Sequence, residues 1–170
     1  MSIVTKTGDN GTTGLMYNRR VEAYGAVDEL NAALGLARAT AAESFVSENL
    51  LTTQKELVTL MGELATLPED RERYVKDGFA LVDATMTARL EGLVKEIEAQ
   101  KITYQGWATP GASVHSAALD MARTVCRRAE RRVCDLKEAG ELRNEEIVVY
   151  LNRLSDLLWL FARWTEREKS

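Results

Sequence analysis

The chain has 170 residues, a formal net charge of −4, 45% hydrophobic residues and only two prolines. This length and composition suit one soluble globular domain with a buried core, and stretches rich in Ala, Leu, Glu and Arg favour helix. The negative charge argues against a protein that mainly wraps nucleic acid, and no apolar run matches a membrane span or a signal-peptide core. We therefore expect a cytoplasmic protein without nucleic-acid or membrane partners.

The first notable stretch is TKTGDNGTTG, residues 5–14, which holds three glycines and four threonines. It is not a P-loop of the usual kind, because its lysine precedes the glycines instead of ending the loop ahead of a helix. By itself it fits either a phosphate-binding loop or a polar leader.

Behind this stretch the apolar residues recur at helical spacing in five segments. Asn144 can cap the fifth, which runs through Phe161. Segments of this length joined by short loops indicate an up-and-down bundle. The predicted fold is therefore all-α, a single domain over residues 1–170 with five helices and an irregular N-terminal loop. The first four helices are predicted over Val21–Ala39, Phe45–Leu64, Phe79–Ile97 and Ser113–Leu136.

The cysteines and the histidine indicate no metal site. Cys126 and Cys134 lie in one predicted helix, about 12 Å apart along its axis, which is too far for a disulfide. With His115 as the single histidine, zinc ligation is not expected, and no metal-binding residue is assigned. Both thiols are predicted to be reduced and buried.

A basic segment, RTVCRRAERRV, begins at Arg123. On a helix Arg123, Arg127 and Glu130 share one face, because their spacing is i, i+4 and i+7. A run of arginines on a helix is most often a solvated basic face. The functional alternative is that the guanidinium groups bind a polyphosphate. A third alternative, a nucleic-acid-binding surface, is opposed by the negative net charge.

Two further helical faces carry polar residues that a bundle core does not require. Asp28 lies on a small, glycine-bearing face, which is either exposed or approached closely by a ligand or another backbone. Asn152, Asp156 and Arg163 form a polar stripe with Trp159 on an otherwise apolar helix. This stripe is either exposed to solvent or lines a cleft.

Taken together, five motifs resemble the PduO-type ATP:cob(I)alamin adenosyltransferases, also called corrinoid adenosyltransferases. The resemblance covers nearly the whole chain, and the motifs occur in the family's order. They are TKTGDNGTTGL at 5–15, VEAYGAVDELNAALG at 21–35, PGAS at 110–113, ARTVCRRAERRV at 122–133 and YLNRLSDLLW at 150–159.

The resemblance implies a five-helix bundle that forms a homotrimer with active sites between subunits. It implies transfer of the 5′-deoxyadenosyl group from ATP, with Mg²⁺, to the Co(I) of reduced cobalamin, giving adenosylcobalamin and triphosphate. Co(I) is already a strong nucleophile, so the protein has to align C5′ and neutralise the departing triphosphate. A cobalamin reductase or a cobalamin-dependent enzyme is an expected partner.

The resemblance also assigns roles to residues of this chain. Arg123, Arg127 and Glu130, joined by Asn152, would hold phosphate and adenosine, and Asp28 would pair with Arg123 across a subunit boundary. Trp107 replaces the family's phenylalanine before the Pro-Gly turn and would keep an aromatic wall against the corrin. The loop residues expected around the ATP phosphates are Thr5, Lys6, Thr7, Gly8, Asp9, Gly11, Thr12 and Thr13.

The sequence departs from the family pattern at two places. The segment after Leu15 is short, so Arg19 or Arg20 would replace a lysine that family members often carry there. Ala112 stands where the usual turn has a second glycine. These departures motivate an alternative function, a non-catalytic ATP- and corrinoid-binding carrier or sensor with the same fold; a purely structural bundle is a third possibility.

Overall fold

The computed structural model describes residues 19–102 and 108–167, which form six α-helices and no strand. The all-α prediction is confirmed. The predicted count of five helices is one short for these residues, because a six-residue helix was not predicted. The N-terminal loop lies outside the described residues. The helices are α1 Arg19–Ala39, α2 Ser44–Ala65, α3 Arg71–Lys76, α4 Ala84–Glu98, α5 Val114–Glu138 and α6 Glu146–Glu166.

The five long helices pack around one core. Helix α1 contacts α2 and α5, and α6 contacts α5 and α4. Arg89 of α4 joins α2, since its Nε donates to Glu56 Oε1 at 2.8 Å. Within the described ranges, no helix combines the length and apolar character needed to cross a bilayer. Each long helix contributes a fully buried leucine to the core: Leu30, Leu57, Leu90, Leu119 and Leu154.

Helices α5 and α6 run antiparallel, and this sets which polar residues meet. Asp120 near the start of α5 contacts Arg163 near the end of α6. Glu130, further along α5, contacts Asn152 in the first half of α6. The basic segment and the polar stripe therefore lie side by side on the bundle.

Helix α5 has a defined signal at each end. Ser113 and Ser116 form a capping box, in which Ser116 N–H donates to Ser113 Oγ at 3.0 Å and Ser113 N–H donates to Ser116 Oγ at 3.1 Å. Beyond the helix Gly140 adopts φ +72°, and Glu141 N–H donates to Leu136 O at 2.9 Å. Both ends agree with the prediction to within two residues.

The predicted start of α4 at Phe79 is wrong. The helix begins at Ala84, because Asp83 is its N-cap. The Asp83 carboxylate accepts hydrogen bonds from the Thr85 hydroxyl at 2.5 Å and from the backbone N–H of Met86 at 3.2 Å and of Thr85 at 2.9 Å. These bonds, the one from the hydroxyl first, lower the Asp83 pKa. The apolar residues before Asp83 belong to the connection from α3.

Candidate functional site

The basic segment of α5 divides into two faces. Arg127 is exposed, and Arg123 and Glu130 are half-buried on the face beside α6. Arg128 and Arg132 turn towards α1 instead, where each forms an ion pair with an exposed glutamate. The face predicted from helical spacing is therefore distinct from the rest of the arginine run.

Helix α6 supplies an amide to this face. Asn152 Nδ2 donates to Glu130 Oε1 at 3.0 Å, so the structure brings together two residues that are 22 positions apart in sequence. The exposed Asp156 one turn later accepts from Arg153 Nη1 at 2.8 Å. A carboxylate and an amide held in register can present both acceptors and donors to a polar ligand.

Arg123 is anchored by a carboxylate that sequence reasoning missed. Its Nε donates to Asp120 Oδ1 at 3.1 Å, while Asp120 Oδ2 accepts from Arg163 Nη2 at 2.6 Å. Asp120 is 2% exposed and Arg163 is 3% exposed. The i, i+3 spacing of Asp120 and Arg123 was a sequence signal for their contact. The contact of Asp120 with Arg163 had no such signal, because the two residues lie on different helices.

Asp28 lies exposed on α1. Within one chain Arg123 turns to Asp120, so the pairing of Asp28 with Arg123 across a subunit boundary stays a prediction. The remaining predicted site residues lie outside the described residues, and nothing in the structure tests their roles. They are Trp107 and the loop residues Thr5, Lys6, Thr7, Gly8, Asp9, Gly11, Thr12 and Thr13.

Of the two arginines at the start of α1, Arg20 is buried and has a structural role. It is 7% exposed, and its guanidinium donates to the backbone oxygens of Leu64 at 2.9 Å, Thr66 at 3.2 Å and Glu141 at 2.8 Å. The side chain of Arg19 is 64% exposed. Arg19 is therefore the one of the two that faces solvent.

The thiol beside this face is not a nucleophile. Cys126 is buried, its Sγ donates to Leu151 O at 3.2 Å, and burial raises its pKa far above the ordinary value. Cys134 is half-buried, so the prediction that both thiols are buried is confirmed only for Cys126. In residues 19–102 and 108–167, no group of three His, Cys, Asp or Glu side chains could hold a metal ion.

The arrangement can bind an anion and a polar heterocycle without covalent catalysis. Arg123 and Arg127 place two guanidinium groups on one face, and Glu130 with Asn152 adds an ordered acceptor and donor. Guanidinium forks match phosphate oxygens, and the carboxylate–amide pair can read N–H and C=O edges. The described geometry is that of a binding and alignment surface.

Comparisons with known proteins identify relatives of this chain. A family model described as cobalamin adenosyltransferase matches residues 3–165. A corrinoid adenosyltransferase from Bacillus subtilis is 38% identical, and the match covers 96% of this chain and 86% of that protein. The corrinoid adenosyltransferase PduO from Salmonella typhimurium is 35% identical, and there the chain spans only 49% of the relative's length.

The fold is also that of solved members of this group. A variant PduO-type ATP:corrinoid adenosyltransferase from Lactobacillus reuteri, complexed with cobalamin and ATP, superposes with a TM-score of 0.84 at 32% identity. The match covers 97% of this chain and 93% of that one. Matched along nearly its whole length in both sequence and structure, this chain belongs to the cobalamin adenosyltransferase family.

Proposed function

We propose that this protein transfers the 5′-deoxyadenosyl group of ATP to the Co(I) of a reduced corrinoid. The observation that carries the proposal is the match, over 97% of the chain, to a PduO-type enzyme complexed with cobalamin and ATP. The organisation of the α5–α6 face supports it, because that face offers alignment and positive charge and no covalent nucleophile. The reaction would take place in the cytoplasm.

The electron pair that forms the new bond comes from the metal. Co(I) attacks C5′ of ATP, the cobalt–carbon bond forms, and the C5′–O bond breaks with its electrons leaving on triphosphate. The protein therefore has to hold C5′ in line with cobalt and neutralise the leaving group. A general base is not required, because no proton is removed in this step.

The residues of the α5–α6 face divide this work. Arg123 and Arg127 would bind the triphosphate, since a guanidinium keeps its charge and offers a two-pronged donor to phosphate oxygens. Glu130 and Asn152, joined at 3.0 Å, would hold the adenosine. The N-terminal loop would close around the phosphates from the other side, with backbone N–H groups freed by its glycines.

Magnesium would enter on the nucleotide. The described residues offer no cluster of three acidic or imidazole ligands, and Mg²⁺ bound to a triphosphate needs none. It typically keeps several waters and takes one or two carboxylates besides the phosphates. Glu130 is the carboxylate that the proposed nucleotide face offers.

A homotrimer would complete the site. Asp28 is exposed on α1, where it could face Arg123 of the partner subunit. Large apolar side chains are also exposed on the same two helices, with Leu36 at 58%, Met121 at 59% and Val114 at 76%. Burial of such residues is a common driving force for association. Light scattering should give three times the 18.9 kDa mass of one chain, and a monomer would contradict the assembly.

The corrinoid would lie at the end of the bundle where α5 begins. The segment 103–107, which contains Trp107, precedes that helix. The aromatic side chain of Trp107 would help to exclude water from the reduced metal. Loss of turnover with little change in ATP affinity is expected for Trp107→Ala.

The test is anaerobic turnover. The protein, ATP, Mg²⁺ and chemically reduced cobalamin should yield the absorption spectrum of adenosylcobalamin and one triphosphate per corrinoid. Omission of ATP is the control. Binding of ATP and corrinoid without this spectral change would contradict the proposal and favour a non-catalytic carrier or sensor.

A further inference from the structure

Asp120 is a carboxylate shared between two helices and two guanidinium groups. It is 2% exposed, and it accepts from Arg123 Nε at 3.1 Å and from Arg163 Nη2 at 2.6 Å. A buried carboxylate is costly unless it is paired and hydrogen-bonded, and here each oxygen has a charged donor. The two arginines therefore fix the position of both carboxylate oxygens.

Arg163 is itself fixed from three sides. It is 3% exposed, its Nε lies 2.9 Å from Glu166 Oε2, and its Cζ lies 5.8 Å from the centroid of the Trp159 ring. A long side chain held by two carboxylates and an aromatic ring has little freedom to move. It gives Asp120 a rigid support on α6.

Among the described residues of one chain, Arg123 is held by one edge. The hydrogen bond to Asp120 uses Nε, which leaves the Nη1–Nη2 fork at the end of a side chain that is 26% exposed. That fork is the part of a guanidinium that binds a phosphate or a carboxylate with two parallel hydrogen bonds. Asp120 thus restrains the stem of Arg123 and keeps the fork directed to the outside of the bundle.

We infer that Asp120, supported by Arg163, is a positioning residue that presents the Arg123 fork to an anionic ligand. The identity of that ligand as the ATP triphosphate rests on the proposed function. Asp120 does not touch the nucleotide and acts through Arg123. Because the network already restrains Arg123, the side chain loses less conformational entropy when it binds a ligand. This smaller loss is the usual gain from a preorganised side chain.

The first experiment compares Asp120→Asn with Asp135→Asn. Asparagine keeps the shape and one acceptor but removes the charge, so ATP should bind about three- to tenfold more weakly in calorimetry. Asp135 is the matched control, because it lies on the same helix and is paired with Arg132 at i, i+3, but on the exposed face. That variant should bind ATP as the unaltered protein does.

A double variant separates positioning from general stability. If Asp120 acts through Arg123, Asp120→Asn should cost no further ATP affinity in the Arg123→Met background. A loss of equal size in both backgrounds would overturn the inference, as would unchanged affinity in the single variant. Urea unfolding of each variant identifies any loss that comes from a smaller folded fraction.

A measurement without nucleotide keeps the inference separable from the proposed function. In protein labelled with ¹⁵N-arginine, the Nε–H signal of Arg123, assigned with Arg123→Lys, should be resolved and slow to exchange with water. In Asp120→Asn it should move to the position of mobile arginines, and Asp135→Asn should leave it in place. A mobile Arg123 in the unaltered protein would refute the inference, whether or not the protein binds ATP.

Discussion

Two regions of the bundle use arginine and glutamate side chains in different ways. Where α1 begins, the guanidinium of Arg20 and the carboxylate of Glu63 are buried and both bind backbone groups. Arg20 holds three carbonyl oxygens, and Glu63 accepts from Val82 N–H at 2.8 Å and also from the side chain of Asn144, whose Nδ2 lies 3.0 Å away. On the α5–α6 face, by contrast, Arg123 and Glu130 bind side chains and remain partly open to solvent.

This difference in partners and exposure distinguishes charged side chains with a structural role from those that can bind a ligand. Side chains that bind backbone carbonyls and amides close helix ends and satisfy groups that would otherwise be unpaired. Side chains that stay partly exposed and bind a neighbour by one edge keep hydrogen-bonding capacity for a ligand. The partners and exposure of an arginine thus indicate its role better than its presence in a basic run.

The largest expected effect is on stability, at the structural end. Arg20→Met should lower the free energy of unfolding by about 3 kcal/mol, because three backbone oxygens lose a charged donor inside the protein. Urea unfolding measures this loss. Arg19→Met is the control: its ion pair with Glu141 spans 3.8 Å at the surface, so the change should be within about 0.5 kcal/mol. Similar losses in both variants would remove the distinction between the two regions.

The next effect is on binding, at the ligand face. Arg127→Ala should weaken ATP binding by roughly 30-fold, about 2 kcal/mol, because an exposed guanidinium loses its charge-assisted bonds to phosphate. Stability should stay nearly constant, since Arg127 is exposed on a helix that tolerates alanine. Calorimetry with ATP tests this.

Arg128→Ala serves as the control for Arg127, because Arg128 is the next residue along α5, is also exposed, and turns towards α1, where it pairs with Glu29. It should leave ATP affinity within about twofold, because it lies outside the Arg123–Arg127–Glu130 face. Equal losses at both positions would show that α5 attracts nucleotide by its overall charge. The proposed face would then have no special role.

The sequence predicted the long helices well, and the reasons are local. Apolar spacing and end signals such as Ser113 and Gly140 place α1, α2, α5 and α6 to within a few residues at the predicted ends. The six residues of α3 are too few to show a helical period. Phe79 was assigned to α4, but it stacks on Tyr74 with ring centroids 4.7 Å apart, and Asp83 starts the helix.

Only the part of the candidate site that lies within one helix was predicted from the sequence. Helical spacing alone placed Arg123, Arg127 and Glu130 on one face, because that geometry lies within one helix. The contact of Glu130 with Asn152 depends on the register between α5 and α6, which single-sequence periodicity does not contain. Asp120 was missed for the same reason, since its importance comes from Arg163 on the other helix.

A smaller effect concerns the packing of α3 on α2. A Cβ atom at Gly62 would lie 2.3 Å from the Tyr74 hydroxyl oxygen, so Gly62→Ala should destabilise the protein by about 1 kcal/mol. Without that hydroxyl the nearest ring atom is 3.4 Å away. In the Tyr74→Phe background the same change should therefore stabilise by about 0.5 kcal/mol, through the helix propensity of alanine. The same sign in both backgrounds, by urea unfolding, would contradict this contact.

The smallest effect is a pH dependence at His115. This residue is buried, its Nδ1 lies 3.2 Å from Thr40 Oγ1, and its Nε2 has no hydrogen-bond partner among the described residues. Burial lowers its pKa below the ordinary 6.5, although the Ala37 carbonyl and the Glu43 carboxylate oppose the shift. The folded protein therefore favours neutral His115.

Because the unfolded chain takes up this proton first, stability should fall as the pH drops through 6.5 towards the lower folded pKa. His115→Asn keeps a group able to bond Thr40 but does not titrate. Unfolding free energies at pH 8 and pH 5 should therefore differ less in the variant than in the unaltered protein. An equal or larger pH dependence in His115→Asn would show that protonation of this ring does not oppose folding, and that its unpartnered nitrogen is reached by water.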